Sequence, residues 1–261
     1  MSLSFLPERE TKPRQTGITM MMDKGLSAGQ AKELASVAGS LIDYAKLGFG
    51  TSVVCPHSKE KVKIYRDHGM KVFVGGTLFE AFAVRNMVDE YKKFIKELDV
   101  DAVEISDGSV FIEHDQKCKY IKDFARNYTV LSEVGAKEED IFDDPHTWAE
   151  HMESELDAGS SYVIAEARES GTVGIYKKDG SADTEIINDI LKTIPSKQIL
   201  WEAPLKAQQV WFIKLIGANV NLGNIAPFDV IPLETLRLGL RGDTFFEFLP
   251  EEFQKLKLKK K

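Results

Sequence analysis

Four glutamates occupy matching places in four successive apolar segments of the chain. The segments read Ala-Val-Glu-Ile-Ser, Leu-Ser-Glu-Val-Gly, Ile-Ala-Glu-Ala-Arg and Leu-Trp-Glu-Ala-Pro, and their glutamates are Glu104, Glu133, Glu166 and Glu202. Glutamate is uncommon in strands, and burying an unpaired carboxylate is costly. Four of them at equivalent strand ends therefore indicate a polar site that contains cations.

Magnesium is the metal that this set of side chains favours, because Mg²⁺ binds oxygen ligands and keeps several waters. The predicted metal ligands are the four glutamates together with Asp23. Zinc is disfavoured, since the histidines are scattered, and His146 and His151 are five residues apart, the wrong spacing for one helix face. The alternative is structural: some of the carboxylates could pair with Lys46 or Arg168 in a network of ion pairs.

Basic residues near the same strand ends supply the opposite charge. We expect Lys24, Lys46, Lys137 and Arg168 to hold an anionic substrate that is bridged to the metal. Glycine-rich turns after several strands could also offer backbone N–H groups to an oxyanion. The further candidates for substrate binding are Gly76, Thr77, Asn221, Arg237 and Arg241. The last two are four residues apart, and a phosphate site and a structural salt bridge are equally open for them.

The glutamates are 29, 33 and 36 residues apart, about the length of one strand, one helix and two loops. Between the apolar segments, apolar residues recur with the spacing of a helix, which predicts helices at 78–98, 115–127, the latter part of 145–158 and 184–193. Eight apolar segments are predicted to be strands, at residues 17–22, 42–49, 71–74, 102–106, 129–134, 162–167, 198–202 and 220–222.

Strands that alternate with helices imply parallel pairing and right-handed crossovers. Eight such units predict an α/β fold, a (β/α)₈ TIM barrel in a single domain at 17–250. It would lie between an N-terminal arm at 1–16 and a basic C-terminal tail at 251–261. A doubly wound open sheet is the alternative, weakened because no GxGxxG follows the first strand.

A barrel carries its active site at the carboxyl ends of its strands. Side chains alternate along a strand, so Ala102, Glu104 and Ser106 share one face. If the apolar residues between them face the helices, Glu104 points into the barrel mouth. The same reasoning predicts that Asn219 and Asn221 point into the mouth from strand 8.

The overall charge of the chain disfavours some classes of binding partner. The net charge of −7 and the isoelectric point near 5.4 argue against nucleic acid and anionic membranes. The two cysteines form no CxxC pair, and no apolar run approaches about 18 residues. We therefore expect a cytoplasmic protein that acts on small molecules.

Eight segments in order resemble the phosphosulfolactate synthase family. The resemblance implies the same barrel and the Mg²⁺-dependent addition of sulfite to phosphoenolpyruvate, giving (2R)-phospho-3-sulfolactate on a route to coenzyme M or sulfolactate. It also implies that Lys137 is the general acid that protonates C2, and that the barrels form homo-oligomers, with a trimer as one form. The segments are 46–52, 75–80, 103–109, 132–135, 166–171, 202–209, 219–222 and 234–244.

Two other functions stay open. Plant heat-stress proteins of about this size also resemble the family, so the chain could be a stress-associated barrel that acts through protein interactions. It could also be an enzyme with another nucleophile or another phosphorylated enol. The intact set of charged residues at the strand ends favours an enzyme, because a purely structural protein has no need of them.

Overall fold

Eight parallel strands form one sheet in the computed structural model, which describes residues 3–135, 145–168 and 170–257. Seven of them lie where apolar segments were predicted, and the eighth begins later in the chain than predicted. The strands are β1 (Thr19–Asp23), β2 (Tyr44–Leu47), β3 (Lys71–Val74), β4 (Ala102–Ile105), β5 (Thr129–Val134), β6 (Tyr162–Ala165), β7 (Ile199–Glu202) and β8 (Leu222–Ile225).

The sheet curls into a nearly closed barrel. Its strand order is β3-β2-β1-β8-β7-β6-β5-β4, so the first strand pairs with the last. The two ends of the sheet meet where the N–H of Asp101 donates to the carbonyl of Val72 at 2.9 Å. The (β/α)₈ prediction is confirmed, and the doubly wound alternative was wrong.

Helices cover the outside of the barrel between successive strands. The segment predicted as one helix at 78–98 is two helices, because Asn86 adopts a left-handed conformation (φ 56°) that ends the first. The helices in the described part of the chain are α1 (Ala28–Ala38), α2 (Thr51–Val54), α3 (Ser58–Asp67), α4 (Gly76–Ala83), α5 (Val88–Leu98), α6 (His114–Phe124), α7 (Pro145–Ala158), α8 (Thr184–Thr193), α9 (Lys206–Ile216) and α10 (Val230–Arg237). None of them is long and apolar enough to span a membrane.

The barrel interior consists of layers of side chains that alternate along each strand. The lower layer is apolar, and its members are Ile18, Met20, Tyr44, Phe73, Ala102, Leu131, Ile164 and Leu200. The next inward-facing residue, two positions further along five of the strands, is charged. These residues are Lys46, Glu104, Glu133, Glu166 and Glu202. The charged layer therefore lies at the carboxyl ends of the strands, above the apolar layer.

Residues 3–16 lie across the opposite end of the barrel without forming a helix or strand. Arg9 pairs with Glu234 at 2.9 Å, and Arg14 pairs with Asp43 at 3.1 Å. Lys12 donates to two backbone carbonyl oxygens beside them. These contacts close the N-terminal end, so the interior opens toward the charged layer.

Candidate active site

Lys46 lies at the centre of the charged layer. Its ammonium nitrogen is 2.8 Å from Oε2 of Glu104, 3.4 Å from Oε2 of Glu133 and 3.4 Å from Oε1 of Glu202. All four side chains are buried. Three of the four glutamates therefore form an ion-pair network with the lysine, as the structural alternative expected, and this network also forms part of a cavity.

The second carboxylate oxygen is held by the backbone in two of these glutamates. The N–H of Gly76, at the start of α4, donates to Oε1 of Glu104, and the N–H of Ala167 donates to Oε2 of Glu202 at 2.9 Å. The cluster is therefore fixed in place before any ligand arrives. The N–H of Gly76 was expected to face a substrate oxyanion, but Glu104 already accepts it.

The cluster contains more carboxylates than a single ammonium can neutralise. Burial raises the pKa of Glu202 to about 8, with the repulsion of Glu133 and Glu104 adding to it and Lys46 opposing it. Burial also raises the pKa of Glu104. Burial alone would lower the pKa of Lys46, but the surrounding carboxylates raise it well above its usual value, so the lysine stays charged. An additional cation would relieve this excess of negative charge.

A cavity of about 410 Å³ lies above the cluster, a size typical of small-molecule sites. Glu166 and Arg168 from the end of β6 form part of its wall, and Thr77 from α4 forms another part. Arg168 and Thr77 are exposed to solvent. At the rim, the exposed Lys24 lies with its ammonium 5.8 Å from the ring centre of Phe49, which also lines the cavity.

The donor set fits Mg²⁺. Within the described ranges, no three acidic, histidine or cysteine side chains converge as a complete metal site, because Lys46 occupies the centre. Mg²⁺ does not require such a site, since it is commonly bound by one or two carboxylates together with substrate oxygens and water. Glu133 and Glu166 both face the cavity with carboxylates of this kind.

The structure places Asp23, one of the expected metal ligands, outside the cavity. Met22 is the residue of β1 that lines the cavity, so Asp23 points to the helices. Its Oδ2 accepts from Nζ of Lys61 at 2.7 Å and from the hydroxyl of Tyr65 at 2.8 Å. Two backbone N–H groups of the following turn donate to Oδ1. Both oxygens are therefore already bound, away from the cavity.

The expected position of strand 8 was also wrong. The strand begins at Leu222, so Asn219 and Asn221 precede it at the N-terminal end of the barrel. Asn221 is buried there, and its Oδ1 accepts the N–H of Ile18 at 3.0 Å. The residue that lines the cavity from β8 is Asn224. The alternation that puts Asn219 and Asn221 on the inner face would put Asn224 on the outer face. Asn224 reaches the cavity because the pairing of β8 with β1 shifts register there and its backbone is left-handed (φ 56°).

The two arginines of the last segment lie away from the cavity. Helix α10 runs back toward the N-terminal end, where the fully buried Arg237 donates to the carbonyls of Ala218 and Val220, both at 2.6 Å. It also donates to the carbonyl of Ile18 at 3.2 Å. Arg241 lines an outer groove together with residues of α9 and α10. The structure therefore brings neither arginine to the cavity, and Arg237 instead joins strand ends.

Lys137 falls within residues 136–144, outside the described ranges, so its assignment as the general acid stays a prediction.

The long loop between β6 and α8 is attached to the site by residues that received no role from the sequence pattern. Gln208 of α9 is buried, and its Nε2 donates to the carbonyl of Gly171 at 2.8 Å. The hydroxyl of Tyr176 donates to the carbonyl of Glu202 at 2.7 Å. Arg168 lies near the start of this loop, and its carbonyl accepts the N–H of Gly171 at 2.7 Å, so the Gln208 contact acts next to a cavity residue. The Gln-Gln pair at 208–209 within the family-like segment was the available signal.

Comparison with known sequences gives matches over nearly the whole chain. Residues 7–243 match the family described as (2R)-phospho-3-sulfolactate synthase (ComA). The chain is 42% identical to the phosphosulfolactate synthase of Methanothermobacter thermautotrophicus, over 91% of this chain and 95% of that protein. It is 40% identical to the phosphosulfolactate synthase of Bacillus subtilis, over 92% and 97%. It is 22% identical to Protein HEAT-STRESS-ASSOCIATED 32 of Arabidopsis thaliana, over 88% of each chain.

Solved structures share the fold at low sequence identity. A 3-hexulose-6-phosphate synthase from Salmonella typhimurium aligns with a TM-score of 0.55 at 11% identity, over 86% of this chain and all of that one. A phosphonopyruvate hydrolase solved with oxalate and Mg²⁺ aligns with a TM-score of 0.53 at 11% identity, over 82% and 77%. These likenesses concern the barrel alone.

Proposed function

Because the chain belongs to the (2R)-phospho-3-sulfolactate synthase family, we propose that its Lys46 cluster catalyses the addition of sulfite to phosphoenolpyruvate with Mg²⁺ as cofactor. The observation that carries the proposal is a buried lysine, Lys46, surrounded by three strand-end glutamates on the floor of the cavity. The enzyme is a lyase of the carbon–sulfur type.

The reaction breaks only a π bond. The sulfur lone pair of sulfite attacks the methylene carbon C3, and the π electrons move toward C2 and the adjacent carboxylate. A proton then adds to C2, so one C–S bond and one C–H bond form, and no group leaves. The protein therefore has two tasks: to stabilise negative charge near the carboxylate and to deliver one proton.

Lys46 is suited to the first task. Its ammonium is already fixed by Glu104, Glu133 and Glu202. With a further cation offsetting the excess of carboxylates, it need not reorganise when negative charge develops on a substrate held above it. Fixed charge in a buried site stabilises a developing anion more than mobile charge in water does. Arg168 on the wall and Lys24 at the rim are placed to hold the outer anionic groups.

Glu133 and Glu166 would hold the metal, because both face the cavity and their oxygens suit Mg²⁺. When bound, Mg²⁺ supplies positive charge to the substrate carboxylate. The excess negative charge of the Lys46 cluster supports this assignment, since a cation beside it lowers the raised pKa of Glu202 and Glu104.

Lys137 is proposed as the general acid for C2, on the family resemblance. Changing Lys137 to Ala should abolish turnover while leaving the chain folded. Turnover near that of the unchanged protein would remove Lys137 from this role, and the proton would then have to come from another group at the cavity.

The direct test is to supply phosphoenolpyruvate, sulfite and Mg²⁺ and to identify the product by mass spectrometry. The proposal expects a sulfonated phosphate ester that forms only when sulfite is present. A folded chain that makes no such product overturns it. The stress-protein alternative has less support, since identity to the Arabidopsis protein is 22% against 40–42% to the synthases.

We also propose that the chain works as a cytoplasmic homo-oligomer, with a trimer as the expected form. Two observations support this: Phe111 and Phe228 are 86% and 83% exposed, and Cys55 and Cys118 are free thiols. Light scattering of the purified chain tests the oligomer, and a monomeric mass at micromolar concentration overturns it.

A further inference from the structure

Phe49 adopts a backbone conformation that bulky residues rarely adopt. It follows β2 with a φ of 54°, in the left-handed region where the Cβ atom of an L residue crowds the backbone. Its ring is 55% exposed and lines the mouth of the cavity. An exposed ring gains little from burial, so packing does not offset the strain. Such outliers are concentrated at functional sites.

The neighbouring turn holds Phe49 in this conformation. The N–H of Gly48 donates to the carbonyl of Asp23 at 3.0 Å, and the hydroxyl of Thr51 donates to the carbonyl of Gly48 at 2.7 Å. A Cβ atom on Gly48 would lie 2.3 Å from the sulfur of Met22, so a larger residue there would displace the side chain of Met22. The turn is therefore fixed on both sides of Phe49, and the direction of its ring is set by the backbone.

The ring of Phe49 contacts the side chain of Lys24. The ammonium of Lys24 lies 5.8 Å from the ring centre, within the range of a cation–π interaction. Lys24 comes directly after Asp23, whose carboxylate is fixed by Lys61 and Tyr65. The backbone that carries Lys24 is therefore rigid up to the preceding residue, and the ring of Phe49 restricts the remaining freedom of the side chain.

We propose that Phe49 is a positioning residue that holds the ammonium of Lys24 at the cavity mouth, where Lys24 binds the outer anionic group of the substrate. Lys24 then presents positive charge at the mouth, opposite the Lys46 cluster on the floor. A cation at the mouth suits a small molecule whose outer end carries an anionic group, such as a phosphate. The identity of that molecule rests on the proposed function, whereas the positioning of Lys24 does not.

A double-mutant cycle tests whether Phe49 acts through Lys24. The variants are Lys24→Met, Phe49→Leu and the two combined, with Phe49→Tyr as the conservative change that keeps a ring. KM and kcat for phosphoenolpyruvate are measured for each, together with equilibrium binding of phosphoenolpyruvate by calorimetry without sulfite.

We expect Lys24→Met to raise KM about tenfold, since it removes a charged hydrogen-bond donor. Phe49→Leu should raise KM about threefold, the value of an exposed cation–π contact, with little change in kcat. The double variant should resemble Lys24→Met, at about tenfold rather than about thirtyfold, because the two residues act together. Phe49→Tyr should have the same KM as the unchanged protein, because it keeps the ring.

Phe5 provides a matched control. It has the same left-handed conformation, with a φ of 62°, and its ring is 53% exposed, but it packs against Phe253 rather than beside a lysine. Phe5→Leu should leave KM unchanged. An equal rise in KM for Phe5→Leu and Phe49→Leu would show that a general effect of losing a strained ring is being measured, and would overturn the proposal.

Two further results would overturn it: effects of the two single variants that multiply in the double variant, or an unchanged KM in Phe49→Leu. If Phe49→Leu fails to fold, Lys24→Met and Phe49→Tyr still decide, because Lys24→Met must weaken binding and Phe49→Tyr must not. The calorimetric measurement separates the two proposals. Binding that depends on Phe49 and Lys24 without any sulfonated product would end the proposed reaction and leave this inference standing.

Discussion

The ammonium of Lys46 lies 2.8 Å from Oε2 of Glu104, inside the barrel and across the intervening strand β3. The other oxygen of Glu104 accepts the N–H of Gly76, the second residue after β3. Glu104 thus joins β2, β3 and β4 where the two ends of the sheet meet. The residues that form the site also help to close the barrel at that junction, so stability and activity are linked there.

Lys46→Met should destabilise the fold and abolish turnover. Removing one partner leaves buried carboxylates without their cation, which typically costs about 3–5 kcal/mol in the free energy of unfolding. Urea denaturation at neutral pH measures the loss. Lys63→Met is the control, because Lys63 pairs with Asp67 on the exposed surface. A loss for Lys46→Met no larger than the control value, about 1 kcal/mol or less, would contradict the account.

The stability of the metal-free protein should fall as the pH rises from about 5 to about 8. Burial raises the pKa of Glu202 from 4.5 to about 8, so in this range the native state binds a proton that the unfolded state has lost. The stabilisation from this group is complete below the unfolded pKa and disappears as the pH passes through the native pKa. A single group contributes at most about 1.4 kcal/mol per pH unit.

Urea denaturation at several pH values with a chelator present measures this slope. Glu202→Gln should flatten it, because the amide does not titrate, whereas the exposed Glu247→Gln should keep the slope of the unchanged protein. A slope that Glu202→Gln leaves unaltered would show that other groups cause the pH dependence.

Gln208→Met should loosen the loop between β6 and α8. The change removes the hydrogen bonds from Nε2 to the carbonyls of Gly171 and Gly180 while keeping the volume of the side chain. Limited proteolysis should cleave the loop faster, and KM for phosphoenolpyruvate should rise because Arg168 is less well placed. Gln209→Met is the matched control, since the side chain of Gln209 donates to Ala203 instead. Equal cleavage rates in the two variants would refute the role of Gln208.

Arg237→Met should lower stability without changing substrate binding. It leaves the carbonyls of Ala218, Val220 and Ile18 without the donors that join the N-terminal ends of the strands. We expect a loss of about 3 kcal/mol in the free energy of unfolding and a KM within about twofold of the unchanged value. A large rise in KM with unchanged stability would restore Arg237 as a substrate-binding residue.

The barrel and most of its charged layer could be predicted from local sequence. Strand and helix periods are short-range signals, and alternation along β4 and β6 placed Glu104 and Glu166 in the mouth, where both line the cavity. Residue type did not reveal that Asp23 faces outward. Asp23 is the residue after Met22, so it lies on the opposite face of β1, and its carboxylate pairs with Lys61, a residue far along the chain.

Local sequence could not place the start of strand 8 or the side chain of Arg237, because both depend on packing between distant segments. Two asparagines in an apolar segment satisfy the alternation wherever the strand begins, and only pairing with β1 fixes its start at Leu222. Arg237 could equally face a phosphate or a backbone carbonyl until the direction of α10 is known. The role of Gln208 depends on a loop 37 residues earlier in the chain, a separation that no local pattern reports.

The measurement that tests the central claim most directly is a ³¹P NMR time course of phosphoenolpyruvate with sulfite and Mg²⁺, for the unchanged chain and for Glu166→Gln. The account predicts a new phosphate-ester resonance that requires sulfite, and a rate at least about 100-fold lower in the variant, because a carboxylate at the metal position is lost. The absence of that resonance with the folded, unchanged chain, or an equal rate in Glu166→Gln, would contradict it.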